Sequence, residues 1–213
     1  MRVRVERGVG LSRWWGLTEG EVRQLRSLKS PARIQAFVDG IEYQYADTAG
    51  SPRRVLREGK GHCLEGALVA AAALRVLGHP PLLMDLEAVR DDDHVLALYR
   101  ERGLWGAVAK SNYAGLRFRA PVYRTLRELA MSYFEDYYNL RGERTLRGYS
   151  GAVRLERLDG KGWMTAEEDV WCVPELLIAA RHYAMVPDKV ARVLPRVDKR
   201  SFEAGKVGRV EHG

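Results

Sequence analysis

Residues 61–81 read GHCLEGALVAAAALRVLGHPP, and this stretch decides the fold. From Cys63 to Leu77 nearly every side chain is apolar, with four consecutive alanines and only two charged residues. A helix that is apolar on almost every side lies at the centre of a protein, so we expect a core helix here. A glycine and two prolines follow it, and these residues end helices.

Start signals for three shorter helices precede this central helix. Thr18 and Glu21 have the spacing of a capping box, in which each side chain binds a backbone N–H of the first turn. The Ser-Pro pairs at residues 30–31 and 51–52 each place a capping hydroxyl before a proline at the first helical position. Gly59 is expected to end the third helix.

Strand signals follow the central helix. Residues 81–89 predict a buried strand, and the apolar runs 94–99 and 104–109 flank a turn containing Gly103 and predict a β-hairpin. Apolar side chains at spacings of three and four predict an amphipathic helix over residues 121–138. This mixture of helices and antiparallel strands predicts an α+β fold.

The chain of 213 residues shows no internal repeat and no low-complexity linker. We therefore expect one domain over residues 1–195, with its core at about residues 30–140. Residues 196–213 hold few apolar anchors and are expected to form a flexible tail.

Composition narrows the function classes. The longest apolar run is far shorter than a membrane-spanning helix, the first residues do not resemble a secretory signal, and two cysteines form no disulfide framework. We therefore expect a cytoplasmic protein without a membrane partner. The net charge is +7, but basic and acidic residues are interleaved, so a nucleic-acid partner is not favoured.

Cys63 is the candidate nucleophile. It follows a glycine-rich loop and begins the central helix, where the free N–H groups and the helix dipole stabilise a thiolate. The same N–H groups could stabilise negative charge on the oxygen of an attacked carbonyl. A general base is still needed, and His94 is the best candidate because it stands at the start of a strand after an acidic loop.

A third residue should orient the imidazole. A three-residue hairpin loop over residues 101–103 would pair Arg100 with Leu104 and, by extension, His94 with Lys110.

In that register Asn112 lies diagonally from His94 and is the predicted orienting residue. A slip of one residue would bring Ser111 there instead, since it reverses the faces of the strand. Lys110 is the remaining alternative on this strand.

Other polar residues have simpler interpretations. His62 is read as a loop side chain in preference to a functional one, and Cys172 as structural. Residues 91–93, three aspartates, are read as a solvated turn. The spacings of structural zinc sites, calcium loops and phosphate-binding loops do not occur, so no metal and no cofactor is expected.

Residues 61–67 (GHCLEGA), with the leucine-arginine pair and the Gly-His-Pro that follow, resemble the cysteine motif of the transglutaminase-like superfamily. The resemblance covers about residues 30–120. It implies an α+β, papain-like core in which a central helix packs on an antiparallel sheet, here with N- and C-terminal helical extensions. It also implies a triad of Cys63 as nucleophile, His94 as base and Asn112 as orienting residue, although the family more often uses Asp at the third position.

These observations predict a cysteine-dependent acyl hydrolase or acyltransferase that acts on a peptide-like amide bond. The peptidase, amidase and transglutaminase-like activities of the family stay open, as do the acceptor (water, amine or thiol) and the oligomeric state. Two alternatives are a non-catalytic binding module of the same fold and a basic nucleic-acid-binding protein.

Overall fold

The structure is a computed structural model in which residues 14–211 are described. Within that range the helices are α1 (Glu19–Ser27), α2 (Pro31–Asp39), α3 (Pro52–Glu58), α4 (Cys63–Val76), α5 (Leu126–Met131), α6 (Cys172–Ile178), α7 (Asp188–Ala191) and α8 (Lys199–Gly205). The strands are β1 (Glu42–Tyr43), β2 (Lys60–Gly61), β3 (Leu82–Ala88), β4 (His94–Glu101), β5 (Leu104–Val108), β6 (Arg119–Tyr123), β7 (Leu146–Ser150), β8 (Val153–Arg154) and β9 (His182–Ala184). Short 3-10 helices cover Ala114–Leu116, Phe134–Asp136 and Leu155–Lys161.

An antiparallel sheet organises these elements, so the predicted α+β class is confirmed. Its strands follow the order β6-β5-β4-β3-β7-β9, and β8 pairs with the opposite end of β3 from β7. Strands β1 and β2 form a separate parallel pair just before α4. No helix formed by residues 14–211 has the length and apolar character needed to cross a bilayer.

Helix α4 is the core helix that the sequence predicts. Every residue from Leu64 to Val76 is buried, and the helix packs on β4 with α1, α2 and α3 around it. The predicted caps also form: the side chains of Thr18, Ser30 and Ser51 each accept a backbone N–H of the helix that they precede. Local side-chain chemistry is therefore enough to start the helices that surround the core.

The sheet separates two apolar layers. Along β4, Val95 and Ala97 face α4, whereas Leu96 and Leu98 face the layer that contains α5. This alternation follows from the period of two in a strand. His94 is the first residue of β4, so its imidazole lies at the end of an interior strand, near the start of α4.

The β4–β5 hairpin is confirmed, but its predicted register is wrong. Glu101 pairs with Leu104 and Arg100 with Trp105, so the loop holds two residues and not three. Arg102 and Gly103 have φ angles of 50° and 83°, the two positive values of a tight type I′ hairpin turn. A non-glycine residue at positive φ is uncommon, so the sequence pointed to a longer loop.

The predicted helix over residues 121–138 is also wrong in its first part. Pro121 lies in β6, an edge strand, which tolerates a residue without an N–H donor. The helix begins only at Leu126, after Thr125, whose hydroxyl accepts the N–H of Glu128 at 3.1 Å. A 3-10 turn replaces its predicted continuation.

The segment predicted as a flexible tail contains α8. The Asp198 carboxylate accepts the backbone N–H groups of Arg200 and Ser201 at 2.9 and 3.1 Å and so caps this helix. After α8 the described chain continues to Glu211. Residues 212 and 213 lie outside the described range.

Candidate active site

A cleft of about 360 Å³ opens at the start of α4. Cys63, His62 and His94 lie in its wall. Further lining comes from the loop after β1, the aspartate turn before β4, the segment after β5 and a pair of tyrosines: Tyr43, Tyr45, Asp91, Asp92, Asp93, Asn112, Tyr113, Leu116, Tyr137 and Tyr138. The sequence-predicted nucleophile and base therefore share one concave surface.

Cys63 is the first residue of α4, directly after the extended backbone of His62. Its Sγ atom lies 4.0 Å from the carbonyl oxygen of Asp93, the residue before His94. The first-turn N–H groups of a helix have no acceptor within the helix, so they surround the sulfur with partial positive charge.

The environment lowers the pKa of Cys63. Burial alone would raise it, but hydrogen bonds from His62 and His94 and the charges of both imidazoles outweigh burial and bring the pKa to about 6. A thiol with this pKa is mostly ionised at neutral pH, and the thiolate is the nucleophilic form.

His94 is buried, and its orientation is fixed by a backbone group. Its Nε2 atom lies 2.8 Å from the carbonyl oxygen of Leu116, in the 3-10 turn after β5. A carbonyl only accepts hydrogen bonds, so Nε2 carries a proton, and the hydrogen bond between His94 and Cys63 is left to Nδ1. The Leu116 carbonyl thus holds the ring in the tautomer that a general base needs.

His62 is a second imidazole that hydrogen-bonds to the Cys63 thiolate and lowers its pKa, whereas the sequence predicted a loop side chain. Its Nε2 atom lies 2.8 Å from the carbonyl oxygen of Thr48. Burial lowers the pKa of His62, but the hydrogen bond and charge of Cys63, helped by Glu65, raise it to about 9. His62 and Cys63 therefore form an imidazolium–thiolate pair at neutral pH.

Glu65 anchors the loop beside this pair. The buried carboxylate accepts hydrogen bonds from the Gln44 amide, the Thr48 hydroxyl and the Gly50 N–H at 2.7 to 2.8 Å. It also accepts the backbone N–H of His62 at 3.0 Å, and its oxygen lies 3.7 Å from the His62 ring. Burial would raise the pKa of Glu65, but these hydrogen bonds lower it, so the carboxylate stays charged.

The spacing of Glu65 three residues after His62 was the available sequence signal for this arrangement. An acid at that position in the first turn reaches back to the N-cap backbone, as in a capping box. A histidine at the N-cap whose backbone is held in this way is fixed next to the first helical side chain.

The structure does not bring Asn112 to His94. Among the contacts of residues 14–211, the amide of Asn112 bonds Tyr45 and Val210 instead. The observed hairpin register explains the difference, because its extension places Ser111 opposite His94. The Ser111 hydroxyl, however, accepts the N–H of Tyr113 at 3.0 Å.

Lys110, the third alternative, is buried and points away from the cleft. Its ammonium donates to the carbonyl oxygens of Val38 and Ile41 at the end of α2. Burial lowers the pKa of Lys110 to about 8. In this geometry the Leu116 carbonyl, and not a third side chain, orients the His94 ring.

The aspartate turn forms one rim of the cleft. Asp91, Asp92 and Asp93 are exposed, in agreement with a solvated turn. Within residues 14–211 no group of three or more acidic, cysteine or histidine side chains is arranged to hold a metal ion.

No protein-family model and no curated protein matches this sequence. One similar solved structure is EGTA-treated LapG of Legionella pneumophila, with 16% sequence identity and a TM-score of 0.33. The likeness covers 45% of this chain and 57% of that chain, so it spans little more than half of LapG.

Proposed function

We propose that this protein is an enzyme of the cysteine-nucleophile class, which forms an acyl-enzyme thioester. More specifically, we propose a hydrolase or acyltransferase with a transglutaminase-like core that acts on peptide-like amide bonds. The position of Cys63 supports this proposal most strongly. Cys63 is the first residue of a buried helix, it interacts with two imidazoles, and it lies in the wall of a cleft.

The proposed reaction begins with the thiolate of Cys63. The sulfur attacks the amide carbonyl, a C–S bond forms, and the negative charge on oxygen is stabilised by first-turn N–H groups of α4. His94, protonated on Nδ1, then gives that proton to the leaving nitrogen as the C–N bond breaks. Water or an amine next attacks the thioester while Nδ1 of His94 accepts its proton, and the thiolate is released.

The fold supports this proposal in a coarse way. A cysteine at the start of the central helix and a histidine on a neighbouring antiparallel strand follow the arrangement that the motif resemblance implies. The acidic rim makes the cleft a poor site for a polyanion, so the net positive charge of the chain does not favour nucleic acid there.

Selective alkylation tests the proposal, with Cys172 as an internal control in the same molecule. Iodoacetamide at pH 6.5 should modify Cys63 much faster than Cys172, measured by mass spectrometry of the digested protein. The preference should diminish in His94→Ala. Equal, slow labelling of the two cysteines would contradict the proposal.

Acyl transfer itself needs a second measurement. A peptidyl acyloxymethyl ketone should add its peptidyl mass to Cys63, and the adduct should be absent from Cys63→Ser. Reaction with iodoacetamide but with no peptidyl reagent of varied sequence would leave a reactive thiol without the proposed activity.

A further inference from the structure

The side chain of Asn112 forms hydrogen bonds with the backbone of one residue of this chain, Val210. Its Nδ2 donates to the carbonyl oxygen of Val210 at 2.9 Å, and its Oδ1 accepts the N–H of Val210 at 2.8 Å. The hydroxyl of Tyr45 donates to the same carbonyl at 2.7 Å. Asn112 and Tyr45 both line the cleft that contains Cys63.

These hydrogen bonds involve only the backbone of Val210. A side-chain amide that pairs with the N–H and the carbonyl of one residue repeats the bonding between two strands, which any extended peptide can make. Val210 is 46% exposed, and its side chain takes no part in these hydrogen bonds. Asn112 is buried and so is held in place for this contact.

The rest of the segment is positioned from α8. The hydroxyl of Tyr138 donates to the Ser201 carbonyl at 2.9 Å, and its ring packs against Phe202. Gly208, at φ 79°, then turns the chain so that residues 206–211, here called the strap, reach Asn112 and Tyr45 in the cleft lining through Val210. The Arg209 guanidinium lies 5.6 Å from the centre of the Tyr113 ring and 3.5 Å from the Glu211 carboxylate.

We propose that Asn112 and Tyr45 form a backbone-binding subsite for an extended peptide substrate, and that the strap occupies this subsite as an intramolecular competitor. The inference rests on the proposed function, because it defines the substrate as an extended polypeptide segment. Substrate must displace Val210 before it can align with Cys63. Asn112 is thus a substrate-binding residue and not part of a triad.

The central test is Val210→Pro in the full chain. Proline has no N–H, so the variant loses the bond to Oδ1 of Asn112, and the strap is held less tightly by the two bonds to its carbonyl that remain. The probe is acetyl-Gly-Arg-Val acyloxymethyl ketone, which carries the sequence of residues 208–210. Its rate constant with Cys63 should rise about fivefold, the worth of one net hydrogen bond. Val210→Ala keeps both backbone groups and should match the wild type.

A second variant tests the subsite itself. Asn112→Leu combined with Val210→Pro loosens the strap but removes the amide, so the gain with the peptidyl reagent should disappear. An undiminished rate in this double variant would overturn the subsite. An unchanged peptidyl rate in Val210→Pro would overturn the competition.

Two readouts separate this inference from the proposed function. Iodoacetamide is too small to need the subsite, so its rate with Cys63 should be the same in wild type and Val210→Pro. A slow rate in both proteins would contradict the proposed nucleophile and would leave the subsite inference unaffected. Amide hydrogen exchange of the peptide containing Val210 does not depend on Cys63. Exchange should accelerate in Asn112→Leu, and unchanged exchange would overturn the proposed hydrogen bonding of Val210 by Asn112.

Discussion

Replacement of His62 by alanine should raise the pKa of Cys63. The ordinary thiol value of 9.0 falls to about 6 in this site, although burial acts in the opposite direction. His62 and His94 together must therefore supply more than this whole difference. If they contribute equally, the loss of one imidazole returns the pKa to about 7.5 or above.

The change in reactivity at neutral pH follows from these values. At pH 7 the thiolate fraction should fall from roughly 90% in the wild type to about 25% or less in His62→Ala. The rate of iodoacetamide alkylation should fall about fourfold or more, because only the thiolate reacts. At pH 9.5 the two rates should converge.

The assay follows alkylation from pH 5 to 10 in a Cys172→Ser background, so that one thiol is observed. His79→Ala is the matched control, since His79 lies outside the cleft lining and its ring contacts Tyr99. The wild-type profile should have its midpoint near pH 6. A midpoint that stays near pH 6 in His62→Ala would refute the assignment of His62 as a partner of the thiolate.

Three further predictions concern stability. Glu65→Gln places an amide against four donors and should cost about 2–3 kcal/mol in urea unfolding, with slower alkylation of the nucleophile. Gly66→Ala adds a methyl that overlaps the Lys110 side chain and should cost about 1–3 kcal/mol, whereas Gly160→Ala meets nothing within 4 Å and should be near neutral. The hydrogen bond from Arg53 lowers the pKa of Glu21 from 4.5 to about 2. The ionised Glu21 therefore stabilises the folded protein fully above pH 4.5, and this stabilisation is lost as pH falls through 2. Glu21→Gln should therefore lower the free energy of unfolding by about 1–2 kcal/mol at pH 7, after allowance for solvent screening, and by less at pH 3. Glu19→Gln is the exposed control, and an equal loss in the two variants would contradict this prediction.

Part of the candidate site was predictable because its signals are local. The apolar run of α4, the glycine before Cys63 and the capping residues act within one or two helical turns. The position of His94 at the start of a strand was equally clear from the acidic turn before it. These features bring a thiol and an imidazole to the ends of neighbouring elements.

Other features depend on groups that the sequence does not place side by side. Arg102 adopts a positive φ in the hairpin turn, a choice made by the pairing of the flanking strands and not by arginine itself. This one-residue change of register is what separates Asn112 from His94. The orienting acceptor is instead a backbone carbonyl, which every residue carries and no motif can reveal.

The sequence by itself determined the central helix and its caps, and it placed a cysteine at the start of that helix and a histidine at the start of a strand, because each of these features depends on interactions between near neighbours in the chain. Only the tertiary structure decided the partner of Asn112, which lies 98 residues away, and the approach of His62 and Glu65 to the loop around Thr48. Such contacts form when separate elements pack together, and their geometry is set by the whole core.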